Sequence, residues 1–187
     1  MIDGLPRPAA LDQLLVAKAH WYDRVPADVE QAGLIVARIG EEELLAVMLQ
    51  SAAARRSNLP SLHRTAHTLA YDAARKAVDA ALLAMGARPS REGGHIATVT
   101  AAEAILQPPP AARSRNVRAF ARARLVRHED EYPRDPTTPV ISLRERRFQT
   151  QNCVRLALDC QQVLGLDPSD ALVPIDSRLD GWEPPGR

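Results

Sequence analysis

The chain has 187 residues, a net charge of +1, 22 arginines against two lysines, and seven aromatic residues. That length suits one domain able to bury roughly 70% of its unfolded surface without staples. The near-neutral charge excludes a general polyanion binder, so any nucleic-acid surface has to be local. No window approaches the roughly 18 apolar residues of a membrane span. The N-terminal Met-Ile-Asp-Gly-Leu-Pro-Arg-Pro lacks the charged and apolar blocks of a signal peptide.

Pro8 to Arg24 reads as a first helix, with proline in its opening turn and Leu11, Leu14, Leu15, Ala19 and Tyr22 as the apolar stripe. Val25-Pro26-Ala27-Asp28 is a turn and helix start. The helical pattern then runs to Ser57, interrupted at Gly40, and closes at Asn58-Leu59-Pro60 with Ser61 as the next cap. Ser61 to Met85 is the central helix. Arg64, Thr68, Asp72, Arg75 and Asp79 confine its polar positions to one sector of about 100°, so its other sides should be packed. Gly86 ends it as a C-cap, and Pro89 forbids a restart. In Ser90-Arg91-Glu92-Gly93-Gly94-His95 the glycines serve either a loop of positive φ or a phosphate cradle of backbone amides.

Ile96 to Gln107 forms another helix, stopped by three prolines. Arg113 to Tyr132 follows, carrying six arginines by Arg127 with no acid among them. At 100° per residue Val117, Phe120, Ala121, Leu125, His128 and Tyr132 share a stripe. Arg115, Arg118 and Arg122 oppose it, while Arg124 and Arg127 border it, within reach of a partner surface or an anion. A simpler reading is a solvated arginine face with an Arg127–Glu131 pair one turn apart. Pro133 and Pro136 end this helix. The last one runs from Pro139 to Leu164, introduced by Thr137 or Thr138, with Gly165 beyond its end. The expected architecture is all-α, an up-and-down bundle of five to six helices over residues 8–165. Residues 166–187 form an irregular, proline-containing arm.

Cys153 and Cys160 share a helical face two turns apart, too far for a disulfide within one helix, which suits a reduced, cytoplasmic protein. His63 and His67, four apart, could face one ion, yet no carboxylate or cysteine stands at ligand spacing. They are expected to form a polar edge of the central helix, with no metal and no cofactor. Phosphate-loop, nucleophile-elbow and dinucleotide motifs are absent from the sequence.

Four segments in fixed order remain: Leu69-Ala-Tyr-Asp-Ala-Ala-Arg-Lys-Ala77, Ala81-Leu-Leu-Ala-Met-Gly-Ala-Arg-Pro89, Gly93-Gly-His95 and Arg127-His-Glu-Asp-Glu-Tyr-Pro133. Together they resemble the HEPN superfamily, helical bundles of prokaryotic toxin–antitoxin and defence systems, over roughly residues 10 to 165. The likeness is to branches ending in Arg-Asn-x-x-Glu-Tyr-Pro. It implies a homodimer in which an arginine and a histidine from each copy build a metal-independent RNase site. Arg127 fits the arginine, His128 its polar neighbour, and Tyr132 stands where the catalytic histidine falls. Tyrosine, with a pKa near 10, is only about 0.1% ionised at pH 7, so it serves poorly as a general base for a ribose hydroxyl.

Two expectations follow from the resemblance. One is a protein acting on or binding RNA or nucleotides, of the toxin endoribonuclease type. Arg127, His128 and Tyr132 would be catalytic, and Arg124, Arg127 and His95 would hold phosphate. The other is a non-catalytic dimerisation module that binds a partner such as a nucleotidyltransferase antitoxin, for which Tyr132 is a candidate acceptor of a nucleotidyl group.

Overall fold

A computed structural model of the chain describes residues 4–39, 46, 60–106, 111–131 and 141–165. The fold is all-α, with six helices among the described residues and one small two-stranded sheet. The elements in order are α1 (Ala9–Ala17), β1 (Tyr22–Arg24), α2 (helical over 29–39), α3 (Pro60–Ala84), β2 (Ala87–Pro89), α4 (Gly94–Leu106), α5 (Ala111–Glu131) and α6 (Leu143–Val163). The arm from residue 166 onward and the Gly40–Ser57 stretch, Ala46 apart, lie outside the described residues.

α3 is the central element, as its narrow polar sector predicts. Arg64 is exposed and Thr68, Asp72, Arg75 and Asp79 are half-buried, while eight alanines from Ala66 to Ala84 are buried. Side chains that small let helix axes approach closely, and α6 is the neighbour α3 touches most, with α5 packed on α6 in turn. Tyr71 and Phe120 are the bulkiest fully buried groups, their rings stacked with centroids 5.2 Å apart.

A helix end leaves carbonyls without intrahelical partners. At the end of α3 the N-terminal segment supplies them: Asp28 N donates to Leu83 O, Leu5 N to Ala84 O, and Val25 N to Gly86 O, at 3.0–3.2 Å. The Arg7 guanidinium reaches Met85 O at 3.1 Å. Gly86 takes the positive φ of 77° expected of a C-cap.

The first helix stops at Ala17 instead of continuing to Arg24. A short 3₁₀ turn at Ala19–Trp21 leads into β1, which pairs antiparallel with β2 in the register Tyr22↔Pro89 to Arg24↔Ala87. Tyr22 is what turns the chain. Its ring is buried and its hydroxyl donates to Ala97 O on α4 at 2.7 Å, a contact that a helical continuation would forfeit. Gly94 adopts φ 45°, supporting the loop reading of the Gly-Gly pair. The last helix begins at Leu143, where Ser142 Oγ accepts from Glu145 N, so neither threonine nor Pro139 starts it.

α5 is rotated from the stripe expected of it. Asn116, Ala119, Phe120, Ala123 and Val126 are buried, while Leu125 is 51% exposed and His128 is exposed. The inward face ends in polar groups matched across to α6. Asn116 donates to Asp159 at 3.1 Å, and Asp130 forms a two-pronged pair with Arg146. His63 and His67 are also buried rather than a polar edge. The His67 Nε2 and Gln149 Oε1 are 3.0 Å apart, and Gln149 Nε2 donates to Glu145. Because Gln149 presents its oxygen, His67 donates from Nε2, and its buried Nδ1 lone pair has no hydrogen bond. His63 Nε2 stands 3.4 Å from Arg147.

The Arg146–Asp130 side chains are 6% and 7% exposed. Truncating one partner strands the other charge in the interior, so Arg146→Met should cost about 3–5 kcal/mol in urea denaturation, and adding Asp130→Leu should recover most of it. Burial, the largest cause, pushes the His67 pKa from 6.5 down to about 4; the Gln149 hydrogen bond opposes the shift and the Arg146 charge reinforces it. Below the ordinary value the unfolded imidazole takes up a proton that the folded one refuses. Stability is therefore full above the ordinary value and falls as pH drops towards 4, by about 3 kcal/mol. His67→Gln, which keeps a donor for Gln149, should flatten stability against pH across that window.

Candidate functional site

Neighbouring positions on α3 supply the base of the site. Tyr71 faces the core and the α5 side, and Asp72, about 100° further round, lies in the half-buried polar sector. Arg127 from α5 reaches across both. Its Nη1 is 2.8 Å from Asp72 Oδ1, and its guanidinium carbon lies 5.4 Å from the centre of the Tyr71 ring. Asp72 on α3 thus holds Arg127 across the helix seam. A second arginine braces the same edge, since Arg75 Nη1 is 3.0 Å from Asp79 Oδ2 and its Nε 3.9 Å from Asp72. Thr98 of α4 donates to the other Asp79 oxygen at 2.9 Å. Burial raises the Asp79 pKa, with Thr98 and Arg75 pulling it back.

α4 contributes His95. Its Nδ1 is 2.7 Å from the Tyr71 hydroxyl, and the two rings stack at 5° with centroids 5.9 Å apart. Burial pushes the Tyr71 hydroxyl up, so it keeps its proton. His95 shifts down, through burial first and then through the charges of Arg75 and Arg127, with a smaller push from Arg124. Tyr71 is buried and this is its one hydrogen bond among the described residues, so its hydroxyl proton is satisfied only by donating here. The Tyr71 O–H donates to Nδ1, and the His95 proton sits on Nε2. The exposed edge of His95 is thus an N–H donor, suited to a phosphate oxygen and not to taking a proton from a ribose hydroxyl.

The residues expected to hold phosphate therefore meet. Arg127 and His95 flank Tyr71, and Arg124, half-buried, acts electrostatically on both Tyr71 and His95. His128 follows Arg127 by about 100° around the helix and is exposed. Tyr132 lies outside the described residues. Tyr71, Asp72 and Arg75 complete the corner. Their trace in the sequence is the Asp72, Arg75, Asp79 spacing, which places both carboxylates beside one guanidinium.

Other chemistry is poorly served. Cys153 and Cys160 are buried and in no disulfide, and burial raises the Cys153 thiol, away from the reactive thiolate. No group of three or more His, Cys, Asp or Glu stands close enough to hold a metal ion among the described residues. No helix among them is long and apolar enough to cross a membrane. Compared with family models, curated proteins and solved structures, the chain finds no match.

Because the Arg127 charge helps hold His95 neutral, Arg127→Gln should raise the His95 pKa towards its ordinary value. Asp72→Asn removes a charge that opposes the shift and should lower it further. An NMR titration of the His95 ring protons reads both signs.

Proposed function

We propose that this chain is a HEPN-like protein that binds RNA or a nucleotide through an anion site formed by Arg127, Arg124 and His95. One observation carries the reading: an arginine already anchored by Asp72 shares the Tyr71 side chain with an imidazole whose Nδ1 is taken by the Tyr71 hydroxyl, which leaves Nε2 outward. An anchored guanidinium has lost its side-chain entropy before the ligand arrives, and its planar fork is held in a fixed orientation. Arg124 has no ion pair among the described residues and adds charge that nothing there offsets. The reading includes a homodimer, as the resemblance implies, and a cytoplasmic setting, as the spacing of Cys153 and Cys160 suggests.

Binding is the part of the family's chemistry that these contacts support best. Cleavage would need a base. His95 has committed Nδ1 to Tyr71, while His128 is exposed one position beyond Arg127. In fluorescence anisotropy with labelled single-stranded RNA, Arg127→Ala should weaken binding about 10- to 100-fold, the loss of one charge-assisted contact. Affinity should also fall as salt rises. Equal binding by wild type and Arg127→Ala rejects the site. Incubation with total RNA in chelator, beside Arg127→Ala and His128→Ala, separates binder from enzyme. Cleavage lost in both variants makes the chain a metal-independent endoribonuclease of the toxin type.

A further inference from the structure

A second feature lies on the outer side of α4 and α5. An open groove of about 460 Å³ runs between them, floored by Ile96, Val99, Ala121 and Leu125. Ile96 is 46% and Leu125 51% exposed, which puts two large aliphatic side chains in water on facing helices. The charged lining is entirely arginine: Arg118, Arg122 and Arg124, with no acid among the lining residues. Arg122 is offset by Glu145 on α6 at 3.2 Å, whereas Arg118 and Arg124 have no ion pair among the described residues.

We propose that this groove docks an acidic amphipathic helix from a partner protein. The floor would take its aliphatic side chains and the arginine rim its carboxylates. Charge complementarity selects that occupant. A second copy would bring its own Arg118 and Arg124 across a two-fold axis, like charge against like, if the same face met itself. A nucleotide is disfavoured by the floor. Bases are held by stacking on aromatic rings or by hydrogen bonds to their edges. No aromatic ring lines the groove, and the proton of Thr100, its one hydroxyl, is given to Ile96 O at 2.9 Å. Aliphatic side chains from two helices beside the arginines of α5 match the apolar stripe and flanking acids of an amphipathic helix. A helix seated there also covers Arg124, the one residue this surface shares with the anion site.

The test uses the full chain and a fluorescein-labelled 16-residue helical peptide carrying leucines at i, i+4 and i+7 between glutamates. Saturable binding is expected, weakened at least 10-fold by Leu125→Asp and by Arg118→Glu. Both side chains are exposed, so circular dichroism should show both variants folded. A peptide with lysine in place of glutamate should not bind. Failure of the glutamate peptide to bind, or equal binding by wild type and both folded variants, overturns the proposal. So does self-association of the chain that Leu125→Asp abolishes, which would make a second copy the occupant, or mononucleotide binding lost in Leu125→Asp. Neither Leu125 nor Arg118 belongs to the Arg127–His95 corner, so RNA binding that survives both variants keeps the two results separate.

Discussion

Where α5 crosses α3, an arginine lies against a tyrosine ring at the edge of an alanine-lined core, and that placement is tolerable only because Asp72 meets it. Removing a guanidinium from water costs several kcal/mol unless an opposite charge and hydrogen bonds replace the lost hydration. The close approach of α3 to its neighbours, made possible by alanines from Ala66 to Ala84, leaves little room for water at these seams. The charges found there are accordingly matched in pairs: Arg127 with Asp72, Arg75 with Asp79, and Arg146 with Asp130. The pairs do little to raise stability over an apolar seam. The two interhelical pairs, Arg127–Asp72 and Arg146–Asp130, fix the register of one helix on another, because a slip of one turn would strand both, whereas Arg75–Asp79 lies within α3.

That fixed register is what gives the corner its chemistry. Tyr71 cannot swing away, since Phe120 stacks on it within the core, and its hydroxyl is therefore held at a constant place beside α4. His95 inherits its tautomer from that hydroxyl and its low basicity from burial and nearby guanidinium charge. The arrangement turns N–H donors outward around an imidazole of lowered basicity. Such a surface binds an anion without first taking up a proton, so its affinity follows salt more than it follows pH.

Much of this frame is legible in the sequence, and the parts that are not share a cause. The polar sector of α3 can be read from five positions because one long helix with a narrow polar strip admits a single interpretation. Gly86 and Gly165 likewise mark helix ends by backbone geometry alone, each with positive φ. α5 misleads because its largest aliphatic residue, Leu125, faces out, while its inward face sets Phe120 and Val126 among Ala119, Ala123 and two polar residues. Hydrophobic periodicity weights size, yet this bundle packs through smallness, and Asn116 and Asp130 are welcome inside only because Asp159 and Arg146 wait on α6. The same holds for Tyr22, whose bond to Ala97 O overrides a helical pattern that reads well on its own. Arg127, Arg124 and His95 are visible as candidates, but their meeting depends on Tyr71 and Asp72, whose role is a matter of which helices touch.

The outward turn of Leu125 has a consequence of its own. A helix packed on a core ordinarily spends its large aliphatic residues inward, and here the exchange leaves α5 with an apolar outer stripe between Arg118, Arg122 and Arg124. Nothing in the stability of the isolated bundle asks for that: a polar residue at Leu125 would cost the core nothing, since the side chain is half in water. The stripe and its cationic rim are thus better explained by what α5 presents outward than by what it buries. The inward face of the same helix anchors Arg127 on α3, and its outer face carries the groove. One element, about 30 Å long by the helical rise, so holds two chemically different surfaces whose only shared residue is Arg124.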